Sequence, residues 1–204
     1  MNWETLMCFG DSITIGARSY CGYPEYACDY LESELGNKWN VINQAKSGYT
    51  AMDLHRDISN NFSNLSAFTP SIVTVLIGTN DIKNNTSEQD FKIAYNQVII
   101  KAKLIAMKQN VLMIKIPHLP VKVMYPYNFK MNEKITEFND LLSALAIDHN
   151  VRITDFSISE EDLFDGVHLN NTGSRNFGRQ LAQYILLDKG IDKVLEAGND
   201  NKNL

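Results

Sequence analysis

Short apolar runs alternate with longer amphipathic stretches along this chain. The clearest run is 71–77, Ser-Ile-Val-Thr-Val-Leu-Ile, and its β-branched residues are typical of a strand buried on both faces. Four further runs predict strands at 5–9, 41–43, 111–116 and 151–154. The intervening stretches predict helices at 25–35, 52–60, 90–109, 132–150 and 171–188. Pro24 marks the start of the first of these helices and Gly36 its end.

This alternation of strands and helices predicts an α/β fold built on a parallel sheet. Because crossovers between parallel strands are right-handed, we expect a three-layer α/β/α arrangement with five strands in the flavodoxin-like order. One domain should span 1–190, and the polar residues 191–204 should form a partly disordered C-terminal appendage. Ligands bind beyond the carboxyl ends of strands in such sheets, so reactive residues should directly follow predicted strands.

Composition and charge narrow the classes of partner. The 204 residues are 44% hydrophobic and 21% charged, as is typical of a globular protein. A net charge of −5 without a basic run argues against nucleic acid or an anionic membrane as the main partner. No apolar run approaches the ~20 residues of a membrane span and no signal peptide is visible, so we expect a cytoplasmic protein. The odd number of cysteines indicates reduced thiols, with a Cys21–Cys28 disulfide as the alternative.

A small polar nucleophile follows the first predicted strand, in the sequence Gly-Asp-Ser at 10–12. Ser12 should lie at the mouth of the sheet, where a helix starting near Ile13 would direct amide groups toward an anion. The alternative interpretation is that Asp11 or Ser12 simply caps that helix. The G-x-S-x-G elbow of α/β-hydrolases is not matched, because Thr14 replaces its second glycine, and P-loop spacing is absent.

Two other predicted strands are followed by residues that can donate hydrogen bonds into the same cleft. Gly48, in the segment after the second strand, can bring a backbone N–H close to a ligand. Asn80, in Gly-Thr-Asn-Asp after the third strand, carries a side-chain amide suited to an oxyanion. Ordinary turns are the alternative interpretation of both segments.

A carboxylate and an imidazole lie three residues apart just before the last predicted helix, at Asp165 and His168. A single turn can set the carboxylate against one ring nitrogen, which leaves the other nitrogen to take a proton from a serine hydroxyl. A surface pair or half of a metal site is the alternative, but no further His or Cys stands at metal-ligand spacing. We therefore predict neither a metal nor a cofactor.

The four segments together resemble the blocks of the SGNH hydrolase superfamily, also called GDSL esterases and lipases, in the family's order across 8–173. The resemblance implies that Ser12 is the nucleophile and that Asp165 and His168 complete a catalytic triad. It also implies an oxyanion hole formed by the Ser12 N–H, the Gly48 N–H and the Asn80 side chain. Two positions depart from the family pattern, Ile13 in place of Leu and Ala45 in place of a Gly.

The expected reaction is hydrolysis of a small-molecule ester through an acyl-enzyme, with short-acyl esters such as O-acetylated carbohydrates as the first expectation. Lysophospholipids or thioesters with longer acyl chains are the alternative substrates. Tyr49 and His118 are candidate substrate contacts, and residues 119–131 should border the cleft as a lid or wall.

A flavodoxin-like binding module without catalysis is the alternative class of protein. A nucleotide- or flavin-binding protein is disfavoured because a phosphate-binding glycine fingerprint is absent.

Overall fold

A five-stranded parallel sheet forms the centre of the molecule. The computed structural model describes residues 3–188, so the predicted appendage at 191–204 lies outside the described residues. The strands are β1 (Trp3–Gly10), β2 (Lys38–Asn43), β3 (Ile72–Leu76), β4 (Val111–Ile114) and β5 (Arg152–Thr154). They pair in the order β2-β1-β3-β4-β5, with every pair parallel. This order confirms the predicted flavodoxin-like α/β fold.

Helices cover both faces of the sheet. They are α1 (Ser12–Ile15), α2 (Tyr23–Leu35), α3 (Ala51–Asn60), α4 (Phe62–Ser66), α5 (Thr79–Lys83), α6 (Glu88–Ile105), α7 (Asn132–His149) and α8 (Asn171–Asp188). Helices α2 and α8 pack against each other, and α6 packs against both α3 and α7. Within residues 3–188, no helix combines the length and apolar character needed to cross a membrane.

Several predicted element boundaries differ from the observed ones, and the ends of one helix and one strand show why. The helix predicted at 90–109 ends at Ile105, because Ala106 turns to an extended conformation and Lys108 and Gln109 adopt positive φ angles of 52° and 56°. The strand predicted at 41–43 begins earlier, at Lys38. It lies at the edge of the sheet, where exposed polar residues interrupt the apolar pattern that marks the central strands.

Two asparagines of α7 fix the backbone that follows β4. Asn139 accepts from the Ile116 N–H at 2.8 Å and donates to the Ile116 carbonyl at 2.9 Å. Asn132, two turns earlier on the same face, makes the same two bonds to Leu119, both 2.8 Å long. The strand predicted to reach 116 therefore ends at Ile114, because side-chain amides replace a neighbouring strand as hydrogen-bond partners. These bonds define where the segment 117–131 leaves the sheet.

The Asn139 pairing predicts a clear cost of truncation. Asn139→Ala should lower the free energy of unfolding by about 2 to 4 kcal/mol, because it leaves a buried N–H and a buried carbonyl unpaired. Asp140→Ala, at the adjacent exposed position, should change the free energy by less than about 0.5 kcal/mol. Urea unfolding of the three proteins measures both values. Equal unfolding midpoints for Asn139→Ala and the wild type would contradict the pairing.

Candidate active site

Ser12 lies at the carboxyl end of β1, one of the three interior strands of the sheet. The side chain of Asp11 caps α1 by accepting from the Ile13 N–H at 2.9 Å. Asp11 thus performs the capping that was the alternative interpretation of this segment. The Ser12 hydroxyl is instead hydrogen-bonded to the imidazole of His168.

Three side chains from opposite ends of the chain form one hydrogen-bonded series. Ser12 Oγ lies 2.8 Å from His168 Nε2, although 156 positions separate the two residues. His168 Nδ1 lies 2.7 Å from Asp165 Oδ2. The second carboxylate oxygen, Asp165 Oδ1, accepts from the backbone N–H groups of Val167 and His168 at 3.0 and 2.8 Å. The structure therefore brings together the three residues predicted as nucleophile, base and orienting acid.

The electrostatics of Asp165 favour its ionised form. Partial burial raises the pKa of Asp165, but hydrogen bonds from the backbone and ring of His168 and from the Val167 N–H outweigh it, so the net pKa is lowered. An ionised carboxylate can only accept a hydrogen bond, so the proton of the neutral His168 ring lies on Nδ1. This assigns the tautomer in which His168 Nε2 accepts from the Ser12 hydroxyl.

A tight hairpin holds Asp165 and His168 in place. The Phe164 N–H donates to the His168 carbonyl at 2.8 Å, and an antiparallel bridge joins Leu163 to Leu169. The Met124 N–H donates to the Asp165 carbonyl at 3.0 Å, which ties the segment 117–131 to this hairpin. The hairpin is therefore braced both within itself and by the neighbouring loop.

The hairpin needs a glycine at position 166 because the segment 117–131 lies directly against it. Gly166 has a φ of 84°, and a Cβ there would lie 2.7 Å from both Lys122 O and Val123 Cα. Any larger residue would be strained and would displace the loop. The contact places segment 117–131 against the Asp165–His168 hairpin, as a wall of the site.

Gly48 lies in a turn next to the end of β1. The Lys46 N–H donates to the Gly10 carbonyl at 3.1 Å, and the Tyr49 N–H closes the turn on the Lys46 carbonyl at 3.2 Å. Gly48 has a φ of 83°, in the region that favours glycine, and no atom lies within 4 Å of the position its Cβ would take. Its backbone is therefore approachable from solvent, as the candidate oxyanion role requires.

Asn80 is nearly fully buried, with 3% of its surface exposed, at the start of α5. Its Nδ2 donates to the Tyr49 carbonyl at 3.0 Å and lies 3.5 Å from Asp11 Oδ2, beside Ser12. Its Oδ1 accepts from Lys83 Nζ at 2.9 Å and lies 3.5 Å from the Tyr127 hydroxyl. The amide nitrogen of Asn80 thus faces Asp11 and Tyr49, the sequence neighbours of Ser12 and Gly48, and its carbonyl oxygen faces Lys83 and Tyr127.

Burial separates the carboxyl groups of the site into two kinds. Desolvation, with a contribution from the charge of Asp81, raises the pKa of Asp11 to about 7. Desolvation likewise raises the pKa of Asp81 to about 6, against the hydrogen bond from the Ala51 N–H at 2.9 Å. Asp165 is shifted in the opposite direction. Among these three, Asp165 is therefore the carboxyl group whose ionised form the surroundings stabilise.

The two candidate substrate contacts occupy different surroundings. The ring of Tyr49 lies 5.4 Å from Lys46 Nζ, and its carbonyl accepts from Asn80. The exposed ring of His118 is hydrogen-bonded through Nε2 to Thr136 Oγ1 at 3.2 Å. Tyr49 is therefore part of the network around Ser12, whereas His118 borders a surface groove formed with Asp155 and neighbouring residues. Substrate contact by either residue stays a prediction.

Two residues of this network were not predicted from the sequence. Lys83 stands three positions after Asn80 on α5, so it projects from the same face, but no local pattern predicts a helix there. Tyr127 lies within the loop predicted to border the cleft. That loop contains three aromatic residues, and the sequence does not indicate which of them reaches the site. Burial, followed by the charges of Asp11 and Asp165, raises the pKa of Tyr127 to about 12.

Neither a metal site nor a disulfide accompanies this network. In the part of the chain from 3 to 188, no three His, Cys, Asp or Glu side chains are grouped to hold a metal ion. Cys8, Cys21 and Cys28 are unpaired thiols, so the alternative Cys21–Cys28 disulfide is absent. Burial raises the pKa of Cys28 to about 12, which keeps that thiol protonated and unreactive.

Residues 8–175 match the model of the GDSL-like lipase/acylhydrolase family. The match includes all four segments described above, from β1 to the first turn of α8. The chain therefore belongs to the GDSL-like lipase/acylhydrolase family.

Similar solved structures share this fold across nearly the whole chain. An acetylxylan esterase from Geobacillus stearothermophilus superposes with a TM-score of 0.69 at 18% identity, covering 95% of this chain and 97% of that one. The aryl esterase of M. smegmatis gives a TM-score of 0.70 at 21% identity, covering 89% and 98%. A curated relative, the platelet-activating factor acetylhydrolase IB subunit beta homolog of Drosophila melanogaster, is 30% identical over 134 residues. That match covers 61% of this chain and 56% of the relative's length.

Proposed function

We propose that this protein is a serine esterase in which Ser12, His168 and Asp165 form a catalytic triad. The hydrogen-bonded series from Ser12 Oγ through His168 to Asp165, with distances of 2.8 and 2.7 Å, carries this proposal. A serine hydroxyl is a weak nucleophile until an adjacent base takes its proton, and His168 Nε2 is within reach to do so. Asp165 stabilises the imidazolium that forms.

Acylation begins when Ser12 Oγ attacks the ester carbonyl and His168 takes the hydroxyl proton. The resulting oxyanion accepts hydrogen bonds from the backbone N–H groups of Ser12 and Gly48 and from the side chain of Asn80. When the intermediate collapses, the bond to the alcohol breaks and His168 protonates the departing oxygen. The acyl group is then held as an ester on Ser12.

Deacylation repeats these steps with water as the nucleophile. His168 takes a proton from the water as it attacks the acyl-enzyme, and the same three donors hold the second oxyanion. Ser12 leaves with a proton from His168, and the carboxylic acid is released. Every proton transfer in this cycle passes through His168, so no metal or cofactor is required.

The acyl group is proposed to be short, with acetyl esters of carbohydrates as the first substrate class. The half-buried ring of Tyr127 supports this, because its hydroxyl lies 3.5 Å from Asn80 Oδ1 and is close enough to Asp11 and Asp165 for their charges to raise its pKa. The names of two similar proteins, an acetylxylan esterase and an acetylhydrolase, agree with an acetyl group. A small-molecule ester is therefore the proposed partner, rather than nucleic acid, and a cytoplasmic location stays a prediction.

Longer acyl chains are the second candidate. Val121, Met124 and Phe129 expose 72%, 64% and 51% of their surface on the loop that forms the wall of the site. Exposed apolar side chains beside a site can receive an acyl chain of a lysophospholipid or a thioester. Acyl-length preference separates the two candidates.

Removal of the Ser12 hydroxyl tests the mechanism. Ser12→Ala should reduce hydrolysis of p-nitrophenyl acetate by at least about 10³-fold, because the attacking group is lost. Ser33→Ala, which removes an exposed hydroxyl on α2, should retain wild-type turnover. Full activity of Ser12→Ala would refute the assignment. If the wild type neither hydrolyses the ester nor is labelled on Ser12 by a fluorophosphonate, a binding module is favoured instead.

The proposed position of Tyr127 beside the acyl group predicts a preference for esters of short acyl chains. The wild type should prefer p-nitrophenyl acetate over the octanoate and dodecanoate esters. Tyr127→Ala should raise the octanoate-to-acetate ratio of kcat/KM by about tenfold, because removing the ring enlarges the acyl side. Tyr125→Ala, on a ring that is 95% exposed, should leave this ratio unchanged. A wild-type preference for octanoate or longer esters would contradict the acetylesterase proposal.

A further inference from the structure

The carboxamide of Asn80 has to be oriented before it can serve as an oxyanion donor. An amide side chain presents an oxygen at one end and an NH₂ group at the other, and the two orientations occupy nearly the same volume. Only the orientation with NH₂ toward Ser12 donates to the substrate. A group that distinguishes the two ends therefore determines whether the site is competent.

Lys83 is such a group. Its Nζ lies 2.9 Å from Asn80 Oδ1, and an ammonium group can donate hydrogen bonds but cannot accept one. The reversed carboxamide would place NH₂ against this ammonium and its oxygen against the Tyr49 carbonyl. Both contacts would be repulsive, so the lysine and the carbonyl together select the observed orientation, with NH₂ toward Tyr49 and Asp11, which adjoin Gly48 and Ser12 in the sequence.

The charge of Lys83 has a second effect on the amide. A cation hydrogen-bonded to the carbonyl oxygen draws electron density from the amide, which strengthens its N–H groups as donors. The hydroxyl of Tyr127, 3.5 Å from the same oxygen, adds a weaker contact from the loop. The effect is largest when negative charge develops on the substrate oxygen, so it acts on the transition state more than on substrate binding.

We propose that Lys83 is a positioning residue that orients and polarises the Asn80 carboxamide for oxyanion stabilisation. This inference rests on the proposed esterase function and on Asn80 as an oxyanion donor. Lys83 makes its contribution through Asn80 and does not contact the substrate. Its placement on the same face of α5, three residues after Asn80, makes the contact local to one helical turn.

Kinetics of single variants test the contact. Lys83→Met keeps the length of the side chain but removes the charge and the donor. It should lower kcat for p-nitrophenyl acetate by about tenfold, with KM changed less than about twofold, because a transition-state interaction is lost. Lys83→Arg, which restores a donor-only cation, should recover most of kcat. Lys92→Met, on the exposed face of α6, is the matched control for charge and should behave as the wild type.

A double-mutant cycle with Asn80→Ala separates positioning from a general structural role. If Lys83 acts through Asn80, Lys83→Met should lower kcat less than about twofold in the Asn80→Ala background. A tenfold loss in both backgrounds would overturn the proposal, as would an unchanged kcat in Lys83→Met alone. The proposed function fails separately, if Ser12→Ala retains the activity of the wild type. Urea unfolding of each variant identifies any loss that comes from instability.

Discussion

The parallel pairing of β1 with β3 is the constraint on which the site depends. Gly10 at the end of β1 stands opposite Leu76 at the end of β3, so the segments that follow both strands emerge at one edge of the sheet. Ser12 and Asn80 lie a few residues beyond these ends. The backbone hydrogen bond from Lys46 to Gly10 brings the turn of Gly48 to the same place. The geometry of the sheet thus brings three segments that are distant in sequence to the same edge.

The remaining half of the site comes from loops, which need their own supports. The hairpin that carries Asp165 and His168 is closed by its own backbone bonds and contacts the loop 117–131 through Gly166. That loop is in turn held at its beginning by Asn132 and Asn139 of α7. Rigid supports of this kind keep reacting groups within hydrogen-bond distance, which is what proximity catalysis requires.

Much of the fold was predictable because the pattern of apolar residues reflects burial. All five residues of β3 are buried, and each is either β-branched or leucine. The prediction misplaced each end of this strand by only one residue. The end of α6 was not predictable, since Lys108 and Gln109 are ordinary helix-forming residues that adopt positive φ angles through tertiary context. The asparagine contacts of α7 also lack a local signal, because their partners lie 13 and 23 positions away.

Some residues of the candidate site could likewise be predicted from the sequence, and others could not. Ser12, Gly48 and Asn80 could be found because reactive residues follow parallel strands, and Asp165 and His168 because their spacing suits a single turn. Lys83 and Tyr127 could not, since their relevance depends on which end of the Asn80 carboxamide they face. Side-chain orientation is decided by packing and hydrogen bonding in three dimensions, and residue spacing carries little information about it.

In the proposed mechanism, Ser12 carries the acyl group between the two halves of the reaction. The most direct measurement is mass spectrometry of the protein after rapid acid quenching of a reaction with p-nitrophenyl acetate. We expect one acetyl group on the peptide that contains Ser12, formed within the first turnover and absent after the substrate is exhausted. Turnover of the ester without acetylation of Ser12 would contradict it.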